Sequence, residues 1–157
     1  MMRIRARIRL LLAAASLAAA LLAVARPAAA VKDENLDQLI ARADSARPED
    51  RPALYLEIAR RKAEAADKLY ISGNAEAGKA SLQDVLTFSR KATNSSIQTG
   101  KKLKNVEIGL RKMAEKFRDV KRTVVFEDQA PIQQTVDELE QMRTDLLSAM
   151  FGKKNSQ

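Results

Sequence analysis

Glu57 and Glu64, two helical turns apart, are a pairing of carboxylates that could serve acid-base chemistry, and they are nearly all the chain offers toward catalysis. At helical spacing such a pair is far more often a solvated surface. His and Cys are absent, so the usual triads, thiol nucleophiles, zinc sites and the carboxylate-histidine motif of di-iron bundles cannot be built. The five glycines, at 73, 78, 100, 109 and 152, are scattered and form no phosphate-cradling loop. No enzyme activity, cofactor or metal is expected from such materials.

The second chemical feature is charge. From Lys101 to Arg122 nine basic residues (Lys101, Lys102, Lys104, Arg111, Lys112, Lys116, Arg118, Lys121 and Arg122) stand against Glu107, Glu115 and Asp119. A face of this kind can grip phosphates or an anionic membrane surface. The segment that follows, however, carries Glu127, Asp128, Asp137, Glu138, Glu140 and Asp145 against only Arg143. If the two segments lie side by side, Lys112 falls near Glu140 and Lys116 near Asp137, and much of the patch is neutralised internally. Asn94-Ser95-Ser96 matches a glycosylation acceptor, a weak three-residue pattern under a leader of bacterial type.

The N-terminus supplies an address. MMRIRARIR carries four arginines and no acid, and Leu10 to Ala25 contains nothing more polar than Ser16, the charged and apolar regions of a secretory signal. Pro27 can break the apolar run, and Ala28 and Ala30 place small side chains before a cut between Ala30 and Val31. The expectation is a signal peptide over 1–30 and a single domain over 31–157, exported by the general secretory route to the periplasm or beyond. An uncleaved anchor helix is the alternative, although sixteen apolar residues fall short of the ~20 that span a hydrocarbon core. Removing Arg3, Arg5, Arg7, Arg9 and Arg26 leaves 23 basic and 20 acidic residues, a balance of +3. Most of the formal +8 therefore travels with the leader, and no nucleic-acid partner is expected.

These residues must be carried by helices. Alanine is abundant, Trp is absent and only two Tyr and four Phe occur, a composition suited to close helix packing. Leu36, Leu39, Ile40 and Ala43 predict a first helix over 33–46. Pro48 stops it and Pro52 starts a second, over 50–72. Gly73 and Asn74 then provide a left-handed cap. From Leu82, steps of three and four give Leu82, Val85, Ser89, Ala92, Ser96, Thr99, Leu103, Val106, Leu110, Met113, Phe117 and Val120. This register predicts one helix over 75–122, roughly 70 Å long, and a fourth from Pro131 to Phe151 after the short connector Thr123 to Phe126.

Folding the fourth helix onto the third pairs Val120 with Ile132, Phe117 with Val136, Met113 with Leu139, Leu110 with Met142, Val106 with Leu146 and Leu103 with Met150. The same construction about Gly73 sets Leu69 opposite Gly78 and Ala66 opposite Leu82. The expected fold is all-α: four helices after the leader, in elongated antiparallel hairpins sharing one long central helix. On that reading the polar stretch Ile97 to Gly100 is an uncovered waist and a hinge. The alternative is a true loop there and a compact bundle.

The stretch KLYISGNAEAGKASLQDVL, Lys68 to Leu86, resembles the central turn of a tetratricopeptide repeat, with Gly73-Asn74 at the turn and Ala77 at a packed small position. It covers one repeat, lacks the signature Trp and has no second copy, and it implies a protein-binding helical hairpin. The expected function is that of an exported helical binding or structural module for a protein partner. The partner-binding candidates are Ile97, facing Leu36, Leu39 and Ile40, together with Lys101, Lys102 and Lys104; the ordinary reading of the Ile97 grouping is that the first helix simply packs there. The partner is unidentified and self-association is open. The alternative function is peripheral attachment to the envelope through the basic face or an uncleaved leader.

Overall fold

The structure, a computed structural model, describes residues 35–152. The expected leader, residues 1–30, lies outside them. The described residues are all-α: α1 Leu36–Ser45, α2 Arg51–Ile71, α3 Ala75–Thr99, α4 Leu103–Thr123 and α5 Phe126–Phe151. None of these helices is long and apolar enough to cross a membrane.

The ends of the helices follow from local chemistry. Asn35 caps α1 by accepting from the Asp37 N–H at 3.3 Å. Pro52 sits in the first turn of α2, where its missing N–H removes no helical bond. At the other end the Asn74 N–H reaches the Leu69 carbonyl at 2.9 Å and the Gly73 N–H reaches Tyr70 at 3.0 Å, the paired bonds of a Schellman close. Gly73 takes the left-handed conformation at φ 77°. Asn74 does not; it caps α3 by accepting from Ala77 N–H at 3.3 Å.

The single helix expected over 75–122 is two helices. Gly100 (φ 66°) and Lys102 (φ 59°) are both left-handed and reverse the chain between α3 and α4. The polar residues that suggested an uncovered waist are there to close this turn. The Thr99 hydroxyl donates to the Ser95 carbonyl at 2.7 Å and accepts from the Lys101 N–H at 3.3 Å, and the Ser96 hydroxyl donates to the Lys101 carbonyl. An unbroken apolar register did not require an unbroken helix, because a short reversal also returns the seam to the core. α5 likewise begins at Phe126, with Pro131 inside it; Glu127 and Asp128 in its first turn complement the helix dipole.

The α4–α5 hairpin has the expected facing: Val106, Leu110, Met113, Phe117 and Val120 are buried, as are Ile132, Val136, Leu139, Met142 and Leu146. In the α2–α3 hairpin, Tyr70 rather than Leu69 covers Gly78, where an added Cβ would lie 2.9 Å from the Tyr70 ring.

The two hairpins then stack, so the elongated arrangement is replaced by a compact one. α2 packs on α3 and α4, and α5 on α4 and α3. Like helices therefore run side by side, α2 beside α4 and α3 beside α5. The Leu56 side chain presses on Gly109, where a Cβ would come within 2.6 Å of it, and Lys116 on α4 bridges to Asp67 on α2 at 2.8 Å. α1 lies on α2 with Leu39 and Ala43 fully buried. Its Asp44 accepts from the Tyr55 hydroxyl at 2.9 Å and pairs with Lys91 at 3.6 Å.

Candidate partner-binding site

The α3–α4 reversal brings the sequence-derived candidates to one end of the bundle. Lys101 and Lys102 form the turn, Lys104 lies in the first turn of α4, and Ile97 stands two residues before the end of α3. All four are exposed, Ile97 by 40%. The proposed grouping of Ile97 with Leu36, Leu39 and Ile40 is not formed as an open groove. Leu39 is in the core and Leu36 and Ile40 pack against it, because α1 has no other surface on which to bury them.

A cleft of about 510 Å³ opens beside the turn, lined by Lys102, Leu103, Lys104, Asn105, Ile108 and Met150. Its floor is apolar and its rim basic. Leu103 and Met150, expected as the last rung of the α4–α5 hairpin, are only half-buried, since no further helix extends over them. Leu147 and Phe151, the latter 61% exposed, continue the apolar surface along the last turns of α5.

The internal neutralisation expected of the basic face is formed only in part, and with different partners. Glu140 pairs with Arg118 at 2.7 Å and with Arg143, and Lys116 with Asp67 on α2 instead of Asp137; Lys112 is exposed. The expected pairs followed helical pitch alone, whereas α2, arriving over α4, offers Lys116 a closer carboxylate. No carboxylate among the described residues pairs with Lys101, Lys102 or Lys104.

Behind the cleft the helices are tied by a polar chain. Arg143 donates to Glu107 at 2.7 and 3.0 Å and also to Glu140. Burial opposes the charge on Glu140, but the hydrogen bonds from Arg118 and Arg143 outweigh it and hold its carboxyl below the usual range. Burial likewise works against Arg143, and its bonds to Glu107 and Glu140 keep its pKa above the ordinary value.

Glu57 and Glu64 do not converge on a site. Glu57 is engaged by Arg61 at 3.1 Å, and Glu64 is exposed. No group of three or more acidic side chains gathers within metal-binding reach among the described residues. Asn94 lies within α3, and its acceptor-motif partner Ser96 is buried.

Sequence reasoning missed the opposite end, where Ile71, Val125 and Phe126 are exposed. For Val125 and Phe126 the signal was present in the apolar connector Thr123 to Phe126, which periodicity passes over because it straddles two helix ends and lies on no repeating face. Comparison with protein-family models, with characterised proteins and with solved structures finds no match, so the tetratricopeptide-like turn remains a local likeness of one hairpin.

Proposed function

We propose that the chain is an exported, non-catalytic helical module that holds a protein partner at the Gly100–Lys104 end of its bundle. One observation supports this most: an apolar cleft is rimmed by Lys102 and Lys104, with Lys101 beside them in the turn, and no carboxylate among the described residues pairs with any of the three. An apolar floor with a charged rim is the ordinary anatomy of a protein interface. The matching partner presents an apolar side chain ringed by acidic groups. A left-handed lysine in the turn is a second support, since strained non-glycine backbone gathers at ligand-binding sites. Export rests on the pattern of residues 1–30.

The test is capture from an envelope extract with three baits: the wild type, the double variant Lys101→Glu and Lys104→Glu, and Lys79→Glu on the far end as a charge control. A protein retained by the wild type and by Lys79→Glu but lost from the double variant supports the reading. Equal capture by all three sinks it.

A second reading, peripheral attachment to an anionic membrane, is favoured by Phe151 and Leu147 standing at the same end as the lysines. Salt-sensitive sedimentation with anionic vesicles, weakened in the double variant, would move the assignment from a protein to a lipid surface.

A further inference from the structure

Among the described residues, the three most exposed large apolar side chains lie at the end of the bundle opposite the lysine turn. Phe126 is 82% exposed, Ile71 76% and Val125 63%. Ile71 ends α2, while Val125 lies in the turn from α4 to α5 and Phe126 opens α5. Ile71 shares a cleft with Val120 and Thr123, next to that turn. Phe126 walls a neighbouring cleft with Lys121 and Gln133. Single exposed apolar residues are ordinary, but three adjoining ones at the tips of both hairpins leave a surface that favours being covered.

The charges around this surface point to what covers it. The end of α4 is basic, through Lys121, bonded to Gln133, and Arg122, whose exposed pair with Asp119 at 2.9 Å is open to exchange, and the first turn of α5 is acidic, through Glu127 and Asp128, with Val125 and Phe126 between them. A two-fold axis through the apolar turn sets the basic side of one copy against the acidic side of the other, twice, with the Phe126 rings at the centre. An anionic lipid surface is a poor occupant, because Glu127 adjoins Phe126 and would be repelled by it.

We propose that this end is a self-association surface, on which a second copy of the chain docks end to end through Ile71, Val125 and Phe126. The patch is three side chains at helix tips, small beside a standard interface. The dimer should therefore form only at high protein concentration, and less readily in high salt.

Sedimentation velocity on the chain as expressed, its N-terminus read by mass spectrometry, tests this over micromolar to millimolar concentration. A monomer–dimer shift is expected, weakened at least tenfold by Phe126→Asp. Because Phe126 is almost wholly exposed, the variant should melt like the wild type, which separates loss of docking from loss of folding. Arg122→Glu and Glu127→Lys should each weaken the dimer alone and restore it when mixed. A monomer at every concentration, a dimer indifferent to Phe126→Asp, or no rescue on mixing overturns the proposal. So does a monomer that instead binds vesicles, or a different protein, through Phe126.

Discussion

Lys102 carries a backbone conformation that glycine would hold without strain. A left-handed non-glycine residue costs about 1 kcal/mol or more, and Lys102 sits at φ 59° with no side-chain cap bond to offset it. Lys102→Gly should therefore raise stability by about 1 kcal/mol, a rise of a few degrees in thermal melting, while weakening partner capture by removing a rim charge. A variant both more stable and fully competent in capture would show the strain to be unrelated to binding. Glu140 supplies a test in pH. Its carboxyl titrates below the usual range when folded, so its stabilisation is present above the ordinary carboxylate pKa and is lost as pH falls through the folded value. Glu140→Gln should cost about 1 kcal/mol at pH 7, and the gap between variant and wild type should close once pH is well below the carboxylate range. Melts at the two pH values decide it, and a gap that persists in acid would assign the effect to packing.

At the scale of elements, the decisive contact is between hairpins. Gly109 lets α2 approach α4 until the Leu56 methyls occupy the space a side chain would need. Leu56 is itself fully buried and cannot move aside. Gly109→Leu should thus cost roughly 2–3 kcal/mol by overpacking while leaving far-UV helicity nearly intact, because each hairpin keeps its own facing. Arg111→Leu, two residues away and exposed, should change little. If both variants melted alike, the stacking of the hairpins would be in doubt. The α3–α4 turn teaches a related point about phase. Ser96 and Thr99 fell on the expected seam, and Ser96 is indeed buried, yet its hydroxyl is spent on closing a reversal. Periodicity reports which side of the chain faces inward and is silent on whether the axis continues.

Across the molecule, the two hairpins share one internal plan. Tyr55, Ile58, Ala59, Ala63 and Ala66 of α2 are buried, as are Val106, Gly109, Leu110, Ala114 and Phe117, each fifty-one positions later on α4. Val85, Leu86, Ser89, Ala92 and Ser96 on α3 recur fifty positions on as Thr135, Val136, Leu139, Met142 and Leu146 on α5. Several small side chains of the first hairpin stand where the second has large ones: Ala59 against Leu110, Ala66 against Phe117, Ser89 against Leu139. This explains why no repeat shows in residue identity. Two stacked layers fill one core by complementary rather than equal volumes. Because that core is shared, unfolding should follow one cooperative transition, coincident by circular dichroism and tyrosine fluorescence; two separated transitions would mean the hairpins fold independently. End-to-end pairing at Phe126 would also turn two lysine turns outward, so a multivalent partner would bind by avidity.

What the sequence determined by itself was local and one-dimensional. The helical composition, the Gly73 cap, most of the inward faces of α3, α4 and α5 and all but the last rung of the α4–α5 pairing depend on residues near one another or on constant spacing. That Ile97, Lys101, Lys102 and Lys104 lie together was legible too, since they are close in the chain, but their place at an end of the bundle rather than at a mid-helix waist was not. The tertiary structure alone decided the reversal at Gly100, the stacking through Gly109, the Lys116–Asp67 pair and the nearness of Ile71 to the α4–α5 turn. Each of these depends on where a remote segment lies in space, and a periodic pattern of side chains carries no coordinate for that.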